Sequence, residues 1–465
     1  MDDSDNIQYE CQIRLPSQTV SFAVLSLQGN ETISKPFRFN LSVVSEHDIE
    51  IDNISTTSAS ITISVAGKER YVNGVLSRFS QVDMVKKADS SGQLEADKYI
   101  YEIEIVPRLW NLSLYHDTDF FMKKSIVDIL KDVFKFAGIS PDYYRLDINE
   151  TKYPKLDFVV QWQENTFDFL SRLLEEVGIY YYFDHSVQHD TKVVFCDNIK
   201  TQPLLDNAIK FRVSGDDAIG VRMDDFKVEQ IAVPNKIVMR GYSSKAPSQD
   251  IKVIKTVCEA GEGEQYHCGE FIDDQKQIQN VAQLRVDEQM SKRLLGLGKS
   301  NAIQFYAGIK FSLEGHFNDK RNIAYQITTI EHYGKAFVNG ISAADAQQEN
   351  GYYNLCTCLA TTQQFRPVRL TPRPKISGSI IGEVVSNSVG QYADINENGE
   401  YKVQFRYDRT RTAQDLDYHW IRMQQSYGGT GGKKEGSQMM LRGGAEVVIS
   451  FLNGEPRQPI ITGVV

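Results

Sequence analysis

QWQENTFDFLSRLLEEVGIYYYF, residues 161–183, carries the clearest local signals in this chain of 465 residues. Asn165 is a good helix N-cap, and Asp168 places negative charge on the first turn of the helix that would follow. Gly178 stands where a left-handed residue ends helices, and Ile179–Tyr182 are residues that favour strands. The segment therefore predicts an extended lead-in, a short helix, a glycine stop and a strand.

One face of this helix is apolar, and its members are Phe167, Leu170, Leu174 and Val177, with Phe169 and Leu173 beside them. Arg172 stands four residues from both Asp168 and Glu176, a spacing that predicts ion pairs on the solvent-exposed face. On these physical grounds alone, the segment is an ordinary core helix that leads directly into a sheet.

The residues before this segment alternate between apolar and polar side chains in several runs between 9 and 110. Such alternation predicts a sheet or barrel of antiparallel strands. We expect Gly67 and the pair Asn73-Gly74 to form turns between these strands.

Two further helices are predicted, at residues 125–137 and at about 274–294. Ser125 and Asp128 form a capping box for the first, and Gly138 ends it. The second carries Ile278, Ala282, Val286 and Met290 in one row. Strands are expected at 303–306, 309–313 and 324–330.

Residues 334–365 show little periodicity, and prolines at 367, 372 and 374 predict a stiff linker. Beyond it, residues 401–407 alternate strictly, behind a predicted two-residue hairpin turn at Asn398-Gly399. Further strands are predicted at 418–424 and 445–452. The fold class is therefore mainly β with a few helices: an α+β hub module over 1–365, then a small closed barrel of the oligonucleotide/oligosaccharide-binding type (OB fold) over 366–465.

The charge of the chain is unevenly spread. Residues 366–465 hold 13 Lys and Arg against 10 Asp and Glu, so the other 365 residues carry a net charge of −13. That larger part should repel nucleic acid and anionic membranes.

The acidic N-terminus lacks the apolar core of a secretory signal, and no apolar run is long enough for a membrane span. Six cysteines in this length favour a reducing compartment.

Several segments resemble one family in chain order. They are residues 161–183, RYVNGVLSRF at 70–79, YEIEIVPRLW at 101–110, GIKFSLEGH at 308–316, Glu331-His332, DINENGEYKVQFRYDR at 394–409, HWIRM at 419–423 and EVVISFLNGEPRQPIITG at 446–463. They are similar to VgrG-type proteins, the spike proteins of type VI secretion systems, whose fold is like the hub and spike of contractile phage tails. The resemblance covers nearly the whole chain.

The resemblance implies a phage-tail-hub-like module whose homotrimer caps a six-fold tube, with an OB-fold barrel that carries a needle. The implied partners are copies of the chain itself, a hexameric tube protein, baseplate proteins, and a spike tip or effector. It implies mechanical work without catalysis or cofactor, and membrane contact only by puncture. Such a protein is assembled in the cytoplasm and expelled without a signal peptide. A prophage or phage baseplate hub is an alternative, as is a hydrolase within the hub.

No motif along the chain predicts a catalytic, cofactor-binding or metal-binding residue. Residues 394–405 begin like a calcium loop, but the twelfth position is Phe405 in place of glutamate, so a hairpin turn is the better interpretation. GGTGGKK at 428–434 lacks the remaining residues of a phosphate loop, so we interpret it as a flexible loop between barrel strands.

The remaining candidates favour structural roles. The spacing of Cys258, His267 and Cys268, and of Cys356 and Cys358, fits no common zinc site, so free thiols are expected. The acidic doublets at 175–176, 216–217, 224–225 and 273–274 are predicted to be solvated charge. The aromatic side chains Tyr401, Phe405 and Tyr407 share one strand face, which predicts the barrel core and not a base-stacking surface.

The last seven residues, Pro459–Val465, form an apolar strand without a polar tail. In the family, the matching strand continues into a three-stranded β-helical spike. The expectation from the sequence is that Val465 is followed by such a segment in the natural protein.

Overall fold

A computed structural model of the chain describes residues 7–14, 19–49, 56–65, 67–85, 98–187, 190–212, 220–243, 248–271, 275–336, 351–386, 391–407, 418–428 and 435–465. Contacts divide the chain into two compact units. Unit 1 comprises residues 1–111, 140–148 and 177–368, and unit 2 comprises 112–139, 149–176 and 369–465. The predicted mainly β fold with a few helices is confirmed.

Unit 1 is built on a twelve-stranded sheet. Six of its strands are β1 (Ile7–Arg14), β2 (Thr19–Thr32), β3 (Arg38–Ser45), β4 (Ser58–Val65), β5 (Lys68–Val85) and β6 (Lys98–Val106). They follow the order β1-β4-β5-β6-β3-β2, and β2 pairs back to β1. These six strands therefore close into a ring, which we call ring 1.

The other six strands also close into a ring, which we call ring 2. They are β12 (Ile209–Phe211), β13 (Arg222–Gln230), β17 (Leu294–Ser300), β18 (Lys310–Glu314), β19 (Ala324–Lys335) and β20 (Gly351–Ala360). Their order is β19-β18-β12-β13-β17-β20, and β20 pairs back to β19. Pairing of β2 with β19 joins the two rings into one sheet.

Both rings follow one pairing scheme. Counted within each ring, the first strand pairs with the second and fourth, the third with the second and sixth, and the fifth with the fourth and sixth. The rings differ at the first strand, because β12 spans three residues and runs parallel to both neighbours, whereas β1 is antiparallel to both of its own. Unit 1 therefore contains an internal duplication of topology.

Two smaller sheets complete unit 1. The first contains β8 (Tyr144–Asp147), β10 (Tyr180–Val187) and β11 (Asp190–Cys196) in the order β10-β11-β8. The second contains β14 (Lys236–Tyr242), β15 (Ile251–Thr256) and β16 (Glu264–Phe271) in the order β15-β14-β16. The long helix, α3 (Gln275–Arg293), packs Ile278, Ala282 and Val286 into the core of this second sheet, which confirms the predicted apolar row.

Unit 2 contains the predicted barrel. Its strands are β21 (Ser379–Val384), β22 (Glu400–Phe405), β23 (His419–Arg422), β26 (Glu446–Phe451) and β27 (Pro459–Val464). They follow the order β23-β22-β21-β26-β27, and a bridge between Met423 and Ile461 brings the two edges together. A hairpin of β24 (Ser426–Gly428) and β25 (Glu435–Ser437) accompanies them.

The antiparallel strands β7 (His116–Lys124) and β9 (Leu156–Asn165) extend the barrel core, with the helices α1 (Ile126–Phe136) and α2 (Thr166–Val177) beside them in the chain. Phe120 of β7 and Phe158 of β9 stack on Phe405 of the barrel, with ring centroids 4.8 and 5.4 Å apart. Short 3-10 helices lie at Arg108–Leu114, Pro141–Tyr143, Glu150–Lys152, Ile199–Thr201, Asp319–Arg321 and Leu452–Gly454.

The local signals of the first helix segment are confirmed. The side-chain oxygen of Asn165 accepts a hydrogen bond from the backbone N–H of Asp168 at 2.7 Å, as an N-cap should. Gly178 has φ +74°, so it is the left-handed residue that ends α2. Ser125 and Asp128 form the predicted capping box of α1, and Gly138 follows that helix at φ +68°.

Two predictions in the hub are wrong. Asn73-Gly74 is not a turn but lies inside β5, where a Cβ on Gly74 would overlap the carbonyl oxygen of Val106. Glycine is needed there for a close approach of two strands. Residues 303–306 form buried turns and not a strand. The tract 334–365, whose sequence shows little periodicity, nevertheless contains β20.

Two predictions in the barrel are also wrong. The turn before β22 has Glu397 and Asn398 at its centre, and the N–H of Gly399 donates to the carbonyl of Asn396 at 2.9 Å. Gly399, at φ +73°, is the left-handed residue that follows, so this is a three-residue loop with a glycine bulge. Tyr407 lies beyond the end of β22 and is 59% exposed, so it is not a core residue.

Gly178→Val should destabilise the fold. Besides the cost of about 1–3 kcal/mol for a β-branched residue in the left-handed region, a Cβ at this position would lie 2.7 Å from Cδ2 of Leu284 and 3.2 Å from Cδ of Arg366. Gly138→Val is the matched control, because φ is similar there but no atom lies within 4 Å of the added Cβ. We expect the larger loss of melting temperature for Gly178→Val; equal losses would contradict the steric argument.

Candidate functional site

The charged side chains of α2 do not form the predicted surface pairs. Arg172 is buried, and its guanidinium binds Glu164 of β9 at 2.6 and 2.9 Å instead of Asp168 or Glu176. The same guanidinium donates to the carbonyl of Val160 at 2.6 Å. Arg172 therefore fixes the end of β9 against the helix that follows it.

The doublet Glu175-Glu176 is not solvated charge, contrary to the prediction. The carboxylate of Glu175 accepts hydrogen bonds from the backbone N–H groups of Leu370 and Thr371, both at 3.0 Å. Glu176 accepts two from Arg457 at 2.7 Å, and Arg373 lies 3.5 Å away. Burial alone would raise the pKa of Glu176, but the two arginines lower it to about 2.

These bonds hold the final turn of α2 to the start of the predicted linker and to the last turn of the barrel. The contacts are charge-assisted, and the pair between Glu176 and Arg457 is bidentate. Two chain segments far apart in sequence are thereby fixed to one helix end. We call these contacts the α2 joint.

Unit 1 contains a buried cluster of charged and polar side chains, which we call the buried clamp. Its members are Glu31 of β2, Arg70 of β5, His185 of β10, His332 of β19 and Tyr352 of β20. Glu31 forms an ion pair with Arg70, accepts from Nε2 of His332 at 2.9 Å, and lies 3.2 Å from Nε2 of His185. Tyr352 Oη lies 2.6 Å from Nδ1 of His332.

The electrostatics of the buried clamp favour one ion pair beside a neutral His332. Burial would raise the pKa of Glu31, but Arg70 and the histidines hold it well below its usual range. Burial and the charge of Arg70 lower the pKa of His332 to about 4. Each clamp side chain is nearly inaccessible to solvent, so the cluster cannot meet a substrate. Because it ties strands of ring 1 to strands of ring 2, its role is structural.

Sequence reasoning did not find the buried clamp as a unit. Two of its members stand in segments that carry the family resemblance, Arg70 in RYVNGVLSRF and His332 after Glu331. Their contact joins residues 262 positions apart, which no local pattern reveals.

The remaining sequence candidates show no catalytic arrangement. The calcium-like segment is the turn before β22, where Oδ1 of Asn396 accepts from the N–H groups of Asn398 and Glu400 at 3.0 Å. The phosphate-loop-like segment lies, from residue 429 to 434, outside the described residues. Asp216-Asp217 and Asp273-Asp274 are also outside them. Asp224 pairs with Arg222 at 2.7 Å, and Asp225 is exposed.

The cysteines are all free thiols. Cys356 and Cys358 are buried in β20 with their sulfur atoms 3.6 Å apart, whereas Cys268 is exposed and Cys258 is half-buried. Within the described part of the chain, no group of three or more His, Cys, Asp or Glu side chains is arranged to hold a metal ion. The same residues include no helix long and apolar enough to cross a membrane.

Comparisons with family models match both parts of the chain in order. The model of the phage tail baseplate hub (GPD) family matches residues 30–337, and the model of the type VI secretion system/phage-baseplate injector OB domain matches residues 389–465. The first match covers both rings apart from β1, part of β2, and β20.

The sequences of known proteins point to the same family. The chain is 27% identical, over 98% of its length, to the type VI secretion system spike protein VgrG5 of Pseudomonas aeruginosa, and spans 57% of that relative. It is also 27% identical to the actin cross-linking toxin VgrG1 of Vibrio cholerae, over 82% of this chain and 34% of that one.

A solved structure shares the fold. The E. coli c3393 protein, a component of the type VI secretion system, matches with a TM-score of 0.67 at 19% identity, over 98% of this chain and 99% of that one. Its structure is itself similar to the T4 bacteriophage tail proteins gp27 and gp5.

Proposed function

We propose a function from the premise that this chain belongs to the phage tail baseplate hub family, in its VgrG form, as a structural component of contractile injection machines. Three copies form a hub that caps the end of the tube, and the barrel of each copy carries part of the needle. The chain spans little more than half of the VgrG5 relative, 57%, so this proposal concerns the part in hand.

The observation that carries the proposal is the duplicated ring. Each chain holds two rings of six strands with the same pairing scheme. A trimer would therefore present six similar rings to its partner, and closed cyclic symmetry is the usual solution for such assemblies. Six similar rings match the symmetry of a hexameric tube protein, which we propose as the partner of the hub.

We further propose that residues 1–365 form the tube-mating module and residues 366–465 the base of the spike. The α2 joint then transmits thrust to the barrel, because Arg373 and Arg457 of the barrel segment hold Glu176. Baseplate proteins surround the hub, and a spike tip or effector is carried beyond the barrel. The protein is assembled in the cytoplasm, expelled by the machine, and meets membranes only by puncture.

The proposed mechanism is mechanical and uses neither catalysis nor a cofactor. One relative is named a toxin, and this chain covers 34% of it. Hydrolysis of peptidoglycan, peptide or nucleotide by the purified chain, abolished by a single acid-to-amide change, would contradict the absence of catalysis.

A prophage or phage baseplate hub is the alternative function within the same fold. The neighbouring genes distinguish a phage hub from a secretion spike.

The native protein is expected to be a trimer. Light scattering should give a mass close to three times that of one chain, which is 52.8 kDa for these residues. The longest native form is the decisive sample, because a shortened form can dissociate. A stable monomer at micromolar concentration would rule out the trimeric hub.

A further inference from the structure

Beside the barrel, unit 2 contains an open cavity of about 630 Å³ that the mechanical role does not use. Its floor is the buried Ile380 of β21, and its walls are His116, Asp117, Thr118, Trp162, Gln163 and Tyr407. The volume falls within the range of pockets that hold small organic ligands.

Two aromatic rings give the cavity its apolar surface. Trp162 is half-buried and packs partly against the barrel core, which fixes its position. Tyr407 stands beyond the end of β22 with 59% of its surface exposed, although the alternation of its strand would place it inside. Exposed aromatic faces beside a cleft provide flat apolar contact area with little loss of side-chain entropy on binding.

The polar groups of the cavity come from four side chains. Asp117, Thr118, Gln163 and His116 offer a carboxylate, a hydroxyl, an amide and an imidazole. Among the described lining residues there is no lysine or arginine, so these side chains offer no cation to a phosphate or sulfate. Its chemistry suits a ligand with many hydroxyl groups and no negative charge.

The backbone at the cavity is strained. Gln163 has φ +44°, a left-handed conformation that non-glycine residues adopt at a cost. Opposite it, the pairing of β7 with β9 shifts register between Asp117 and Asp119, which marks a bulge. The N–H of Gln163 donates to Oγ1 of Thr118 at 3.2 Å and so connects the two irregularities. Strain of this kind tends to persist where it positions side chains for binding.

We propose that this cavity binds a neutral oligosaccharide. A sugar ring has an apolar C–H face that can stack on Trp162 or Tyr407, while its hydroxyl groups bond to Asp117, Thr118 and Gln163. Small barrels of this fold class bind oligosaccharides on their surface. The inference rests on the cavity alone and does not depend on the oligomeric state.

The test is calorimetric titration of the full chain with chitotetraose, cellotetraose and maltotetraose, and with inositol hexakisphosphate as the anionic probe. At least one saccharide should bind with a dissociation constant on the order of 0.1–1 mM. Tyr407→Ala should weaken that binding about tenfold, equivalent to 1.4 kcal/mol. Tyr392→Ala is the matched control, because Tyr392 is similarly accessible, at 66% exposure, and is not among the residues that line the cavity. This variant should bind the saccharide with unchanged affinity.

Gln163→Gly provides a second readout that a purely structural role would not give. Glycine accepts a positive φ without strain, so the variant should melt at a higher temperature while binding the saccharide more weakly. Absence of binding by all three saccharides at millimolar concentration would overturn the proposal. It would also fall if Tyr407→Ala bound as tightly as the unchanged chain, or if the anionic probe alone bound.

Discussion

Arg70→Met should lower the free energy of unfolding by about 3–5 kcal/mol, because it leaves the carboxylate of Glu31 buried without its main counterion. Both side chains are almost completely inaccessible, at 3% and 2% exposure. The variant also loses the hydrogen bond from Arg70 to the carbonyl of Phe305, 2.7 Å long. Denaturant unfolding of the variant and the unchanged chain measures the difference.

Two further variants serve as controls for the effect of Arg70→Met. Arg38→Met removes a surface pair with Glu104, in which Arg38 is 51% exposed, and should cost no more than about 1 kcal/mol. Adding Glu31→Gln to Arg70→Met should recover part of the loss, since no unpaired charge then remains buried. If Arg70→Met cost no more than Arg38→Met, the buried clamp would not be a source of stability.

Acid should destabilise the protein well above the pH at which carboxylates titrate. The pKa of His332 is lowered from 6.5 to about 4 by burial and by Arg70, and burial also lowers the pKa of His419 to about 4. The folded state therefore keeps both imidazole side chains neutral, while the same histidines in the unfolded chain take up protons below pH 6.5. Stability is lost as the pH falls from 6.5 towards 4, by roughly 3 kcal/mol for each histidine.

Unfolding curves at pH 7 and pH 4.5 test this window, because the stability that Glu176 provides through its lowered pKa, about 2, is lost only as the pH falls below 4.5. His419→Phe is the informative variant. His419 stacks on Phe158 with ring centroids 4.3 Å apart, so phenylalanine can take its place without a titrating group. The variant should lose less stability between the two pH values; an unchanged loss would show that His419 is not responsible.

Sequence signals predict the structure correctly where that structure depends on neighbouring residues in the chain. Asn165 and Gly178 set the ends of α2 through contacts and backbone angles of their own neighbourhood. The partner of Arg172 was predicted wrongly, because helical spacing offers Asp168 and Glu176 but the fold supplies Glu164 from the preceding strand. Asn73-Gly74 has the composition of a turn, yet tertiary packing requires the glycine inside a strand.

Strand β20 was missed for a physical reason. Its inward positions include Asn354, fully buried and donating to the carbonyl of Ala302 at 2.9 Å, so a polar residue interrupts the apolar alternation. The duplication of rings was hidden in the same way. The first strand of ring 2, β12, has three residues and opposite direction, so sequence periodicity cannot match it to β1. The cavity side chains come from separate segments, and only the fold brings them together.

The junction of the two rings has a consequence for synthesis on the ribosome. The half of β2 from Ser26 to Thr32 pairs with β19, which ends at Lys335, about 300 residues later in the chain. At roughly 5–20 residues per second, that half-strand waits about 15–60 s for its partner. During this interval ring 1 presents an unpaired strand edge, the kind of edge that recruits other chains. A nascent copy should therefore depend on a chaperone, or on slow encounter with its siblings, until ring 2 emerges.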